Sequence, residues 1–102
     1  MNYAYVWEFH VPLELQAEFE QHYGPGGRWA RLFGGSAGYI ETILLKDRST
    51  AERYVTVDRW RDEEAFQVFR SSFSQQYEQL DRDCERLTVG EKLVGEFVEC
   101  PA

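Results

Sequence analysis

Cysteine is scarce in this chain. Cys84 and Cys100 are the only two, too few for the disulfide scaffold of a small secreted domain, and both are read as reduced thiols. Basic residues are few as well: 11 Lys and Arg face 18 Asp and Glu, for a net charge of −7. Such a surface repels a polyphosphate backbone, so nucleic acid is excluded as a partner. No run approaches the ~20 apolar residues of a membrane span, and Met1-Asn2-Tyr3-Ala4-Tyr5 has neither the basic nor the apolar region of a signal peptide. The expectation is a cytoplasmic protein with no membrane partner. Chemical signatures are missing too. The chain has no phosphate-binding G-x-x-x-x-G-K-[ST], no G-x-G-x-x-G after a strand, no G-x-S-x-G, and no His, Cys and carboxylate cluster at metal-ligand spacing. Nucleotide, metal and Ser-hydrolase chemistry fall away, and no cofactor is expected.

Aromatic bulk is what the chain has in quantity: seven Phe, six Tyr and three Trp among 102 residues. That supply offsets the conformational entropy of ordering one core, and the length suits a single domain over residues 1–102. Tyr3 to Val11 alternates, with Tyr3, Tyr5, Trp7, Phe9 and Val11 on one face, which predicts a strand. Pro12 suits the first turn of a helix, Leu15, Phe19, His22 and Tyr23 recur on one helical face, and Gly24-Pro25 ends it. The stretch from Gly24 to Gly38 holds six glycines yet encloses Trp29, Leu32 and Phe33 at helical spacing, as in an ordered loop. Tyr39 to Lys46 and Arg53 to Trp60 read as a hairpin of two strands. Asp62 is a good N-cap, and Phe66, Phe69, Phe73, Tyr77, Leu80, Cys84 and Leu87 then mark a long second helix with a bend expected at Ser71-Ser72. Cys84 lies on that stripe as a small buried hydrophobe. Thr88 to Cys100, interrupted by Gly90 and Gly95, predicts a bulged last strand.

The order β-α-β-β-α-β gives an α+β, ferredoxin-like fold, with both helices on one face of a four-stranded antiparallel sheet. The strands carry apolar groups on both faces: Tyr5, Trp7 and Phe9 oppose Ala4 and Val6, and Ile43 and Leu45 oppose Ile40 and Leu44. Two helices cover one side only. A second copy of the chain is therefore the expected partner, in a two-fold homodimer.

The run Val55-Thr56-Val57-Asp58-Arg59-Trp60-Arg61-Asp62-Glu63-Glu64-Ala65-Phe66, a strand ending in Trp, an acidic cap and Ala-Phe opening a helix, resembles the antibiotic biosynthesis monooxygenase superfamily of dimeric α+β barrels. The resemblance in element order covers nearly the whole chain. It implies a cavity between sheet and helices, used in some members for cofactor-free oxidation of phenols and quinols by O₂ and in one branch for haem degradation. Many members carry a cavity-facing His three residues after the Ala-Phe pair. Here that position is Phe69, beside Arg70, and a phenyl ring neither moves a proton nor ligates iron.

With that position apolar, His22 and His10 are the candidate proton acceptors. Each has a structural reading as well: a helix C-terminus favours a protonated His22, and solvent exposure accounts for His10 beside Glu8. In the 4-1-3-2 strand order of the fold, Trp60 adjoins Asn2 and Tyr3, whereas His10 sits roughly 20 Å away at the other end. The candidate substrate-binding residues are Trp60, Tyr54, Phe66, Phe69, Phe73, Tyr23, Trp29 and Asn2, several of which also suit a core. Arg28, Arg31 and Arg59 could grip an acidic ligand or pair on the surface. The expectation is a monooxygenase-like enzyme for a small aromatic, phenolic or quinone-like molecule. The alternative is a non-catalytic ligand-binding or stress-response dimer of the same fold.

Overall fold

A computed structural model describes residues 1–101. Strand β1 (Tyr3–His10) leads through a 3-10 turn (Leu13–Leu15) into helix α1 (Gln16–Tyr23), and a second short helix, α2 (Arg28–Phe33), follows. Strands β2 (Tyr39–Lys46) and β3 (Arg53–Trp60) form the hairpin; helices α3 (Glu63–Ser72) and α4 (Ser74–Cys84) and strand β4 (Gly90–Val98) complete the chain. The sheet runs β2-β3-β1-β4, every pairing antiparallel. This is the expected ferredoxin-like arrangement, with Tyr3 opposite Trp60 and His10 opposite Arg53, at the two ends of the sheet. Among the described residues no helix is long and apolar enough to cross a membrane.

Three elements depart from the sequence reading, each for a local reason. Pro12 is extended (φ −55°, ψ 146°) and caps a 3-10 turn, so the first α-helix begins at Gln16 instead of Pro12. The glycine-rich segment contains a true helix, α2, because Trp29, Ala30 and Phe33 bury one face of it in the core. The long second helix breaks at Phe73, whose backbone (φ −117°, ψ 28°) is non-helical, one residue beyond the anticipated serine pair. Other local expectations are met. The Asp62 carboxylate accepts a hydrogen bond from the Ala65 N–H at 2.8 Å and starts α3. β4 carries its register shift opposite Val6 and Trp7. Cys84 is buried and Cys100 exposed, both as free thiols. Arg59 pairs with Glu41 and Glu99, and Arg28 with Asp83, so both are occupied in surface ion pairs.

The core lies between the sheet and the helices. From β1 come Tyr3, Tyr5 and Phe9, from β3 Tyr54 and Trp60, and from the helices Phe19, Phe33, Phe69 and Leu80. Strand β3 shows the cause most plainly: Tyr54, Thr56, Asp58 and Trp60 are buried, and the residues between them are half-buried on the opposite face. Period-two alternation thus sends one of the chain's acidic residues, Asp58, to the core side of the sheet.

Candidate functional site

A cavity of about 200 Å³ opens between the sheet and the helices. Its floor is sheet: Tyr5, Trp7 and Phe9 of β1, Thr42 of β2, and Thr56 and Asp58 of β3. Its walls are aromatic, from Tyr23, Trp29, Phe33 and Tyr77, and Asp81 and Glu91 stand at the rim. The register explains the convergence, because Asp58 pairs with Tyr5 on one side and Thr42 on the other. Three neighbouring strands therefore present one polar patch in an otherwise aromatic chamber.

Asp58 is only 6% exposed. The Thr42 hydroxyl donates to its Oδ1 at 2.6 Å, and the Tyr39 hydroxyl lies 2.7 Å from the same Thr42 oxygen. Its second oxygen has no hydrogen-bond partner among the described residues. Burial pushes the Asp58 carboxyl up to about 6, and the Thr42 hydrogen bond pulls the other way. Burial likewise lifts the Tyr5 hydroxyl well above its ordinary range, with the Asp58 charge adding to the effect. At the rim, partial burial and the charges of Asp81 and Glu85 raise Glu91. A buried carboxyl poised near neutrality, with one oxygen fixed and the other free, is equipped to take and return a proton.

Of the residues singled out from sequence, Tyr23 and Trp29 line the cavity. Trp60 is fully buried one layer behind it, in edge contact with the lining residue Phe33 (ring centroids 5.6 Å apart) and with Phe66. Its indole N–H is near the Tyr5 hydroxyl but makes no well-formed hydrogen bond. Phe66 and Phe69 of α3 and Phe73 just beyond it stack in series, Phe69 in the core and the other two packed against it, all outside the lining. Tyr54 sits at the far end of β3, its hydroxyl directed to Gln16 and Glu20 of α1. Asn2 is held at the sheet end, where its carbonyl accepts from the Glu99 N–H at 2.9 Å. His10 lies on the sheet face away from the helices, 3.7 Å from Glu8. His22 projects from α1 toward Glu18 at 3.7 Å, and neither histidine lines the cavity. Asp58 is the functional residue that the sequence reading misses. It stands in phase with Tyr54, Thr56 and Trp60, and an acidic residue at a buried phase of a strand is the signal that marks it.

The family model for antibiotic biosynthesis monooxygenase matches residues 3–78, most of the chain. The chain belongs to the antibiotic biosynthesis monooxygenase family. Solved structures agree in fold. A variant of SnoaB, a cofactor-independent oxygenase from Streptomyces nogalater, is 20% identical with a TM-score of 0.75, over 99% of this chain and 95% of that one. Rv0793 from Mycobacterium tuberculosis is 12% identical with a TM-score of 0.74, over 100% and 98%. An MhuD variant, solved with two manganese protoporphyrin IX molecules per active site, is 22% identical with a TM-score of 0.69, over 98% and 96%. No match was found among curated proteins. Within the family, this chain's own cavity does not fit a porphyrin. Its volume is below the ~300–1,000 Å³ of sites for drug-sized ligands. Its lining offers neither imidazole nor thiolate as an axial ligand. Among the described residues no group of three or more His, Cys, Asp or Glu is arranged to hold a metal ion.

Proposed function

We propose that this family member is a homodimeric, cofactor-independent monooxygenase for a small phenolic or quinol-like molecule, with Asp58 as its proton acceptor. The observation that carries the reading is the buried Asp58 carboxylate on the floor of an aromatic cavity, its Oδ1 held by Thr42 and its other oxygen free. At pH 7 a group of pKa about 6 is roughly nine-tenths ionised, and it can receive a phenolic proton. The phenolate then gives one electron to O₂, forming a phenoxyl radical and superoxide. Their recombination at a hydrogen-bearing ring carbon ortho or para to the oxygen forms the new C–O bond, and Asp58 returns its proton to the terminal peroxide oxygen. Loss of the C–H proton at that same carbon and cleavage of the O–O bond release water, so phenol and O₂ become an ortho- or para-quinone and water with every atom accounted for. An unperturbed phenol has a pKa of about 10, so each unit by which a substrate is more acidic saves about 1.4 kcal/mol in the first step. Phenols with electron-withdrawing groups are favoured at that step, and electron-rich hydroquinones at the electron transfer to O₂. The aromatic walls supply desolvation and orientation.

Phe69, at the position where many family members have a His, favours the second reading, a dimer that binds the same ligands without turning them over. O₂ uptake by the purified protein, measured over a panel of phenols and hydroquinones, separates the two. Asp58→Asn is expected to lower kcat by about 10²-fold or more while leaving the fold intact. Uptake unaffected by this change would remove Asp58 from the reaction, and ligand binding with no uptake by the unaltered protein would leave the binder.

A further inference from the structure

We infer that the cavity selects phenols bearing a positively charged arm, the phenol end directed inward to Asp58 and the cation held at the mouth by Asp81 and Glu91. This inference rests on the preceding reading for the inward orientation of the phenol. The preference for a cation has its own support. Among the described residues lining the cavity there are three carboxylates and no Lys, Arg or His. One of the three, Asp58, is nine-tenths buried and has an oxygen with no protein partner. Burial raises the Tyr77 hydroxyl first, the adjacent Arg70 guanidinium acts against that, and the charges of Asp81, Asp58 and Glu91 add to the rise, so Tyr77 lies within reach of all three carboxylates, between floor and rim.

That field has a chemical consequence. An anionic ligand entering the chamber meets three carboxylates and no basic group in the lining, and a neutral phenol gains nothing from the rim. A protonated amine offsets the repulsion between Asp81 and Glu91, which adds to burial in raising the proton affinity of Glu91, with Glu85 contributing further. Aromatic faces add to the attraction, since a cation over a Trp or Tyr ring is favoured by the ring's quadrupole. Tyr77 already engages a cation this way: the Arg70 guanidinium stacks 3.8 Å from its ring centroid. Arg28, another basic group of the neighbourhood, is tied to Asp83 and contributes no charge to the lining. A chamber of about 200 Å³ has room for one aromatic ring with a short arm.

The test uses three probes that share a para-substituted phenol and differ in charge: tyramine (cation), p-cresol (neutral) and 4-hydroxyphenylacetate (anion). Affinities are measured by tryptophan fluorescence on the intact protein at pH 7 and low salt. Tyramine is expected to bind about tenfold or more tighter than p-cresol, and 4-hydroxyphenylacetate about tenfold or more weaker, with the spread shrinking in 0.5 M NaCl. The double variant Asp81→Asn/Glu91→Gln is expected to bring the tyramine and p-cresol affinities together. Equal affinities for the three probes, or an order that favours the anion, would overturn the inference. So would a preference that survives in the rim variant and disappears in Asp58→Asn, because the cation would then sit on the floor. The order of probe affinities is independent of turnover. A cation preference without O₂ uptake leaves this inference standing and removes the oxygenase reading, whereas uptake with uncharged phenols and no preference does the reverse.

Discussion

At the scale of single residues, Asp58 sets function against stability. In the unfolded chain its carboxyl titrates at about 3.8, and in the folded protein at about 6. The folded state therefore holds the proton more tightly, and stability falls as pH rises from about 4 to about 6, then stays level. Integrated over the shift, the cost at pH 7 is on the order of 3 kcal/mol. Asp58→Asn keeps an oxygen for the Thr42 hydroxyl and removes the charge. Urea denaturation should find this variant more stable than the parent at pH 7 by up to about that amount, with the difference vanishing near pH 4. Subtraction isolates Asp58 from partly exposed carboxylates such as Glu8, Asp47 and Glu99. Hydrogen bonds to Arg53, Ser49 and Arg59 hold these below their ordinary range, and they act in the opposite direction. An advantage of the variant over the parent that is no larger at pH 7 than at pH 4 would show that the buried charge is compensated by contacts other than Thr42.

At the scale of elements, the connections around α3 position the cavity floor, and Gly38 is where they are tightest. Its φ of +92° is a conformation that L side chains rarely adopt, and a Cβ there would come within 2.6 Å of the Ala65 Cβ. The Gly38 carbonyl also accepts from the Arg61 N–H at 2.7 Å, tying the start of β2 to the end of β3. Gly38→Ala should therefore lower stability by about 1–3 kcal/mol, measurable as a lower urea midpoint. An unchanged midpoint would mean that α3 can move aside. The same region shows what the sequence made legible. Alternation in β1 and β3, the Asp62 cap and the apolar stripe after it are local signals, and each element they mark is present. Helix α2 is legible only as an ordered loop despite the helical spacing of Trp29, Leu32 and Phe33, because six residues between glycines are too short to be helical alone and become so through the burial of Trp29 and Phe33. The cavity was the least legible part. Its lining comes from β1, β2, β3, α1, α2, α4 and β4, and only the strand register brings Tyr5, Thr42 and Asp58 together. The two histidines that sequence chemistry favoured stand outside it, and Asp58 was hidden in a strand otherwise read for its apolar pattern.

At the scale of the whole molecule, the proposed homodimer rests on the sheet face turned away from the helices. Val6 of β1, Val57 of β3 and Ile43 of β2 lie side by side across its centre, with Leu45 and Phe97 each 50% exposed nearby. Ion pairs flank this apolar strip at both ends of the sheet, Arg53 with Glu8 and Asp47, and Arg59 with Glu41 and Glu99. An apolar centre with a charged border is the composition of an interface, and a two-fold axis through it places like residues opposite one another. Val57 is central, so Val57→Glu would set two buried carboxylates face to face in a dimer while remaining solvated in a monomer. Light scattering at micromolar concentration should give about 24 kDa for the parent, twice the 12.0 kDa chain, and about 12 kDa for the variant. Thermal melting by circular dichroism distinguishes dissociation from unfolding, since the variant's charge lies on the side of the sheet opposite the core. A parent that scatters as a 12 kDa particle would leave this strip exposed to water and remove the homodimer from the reading of the protein. The cavity chemistry would be untouched, because its lining as described is complete within one chain.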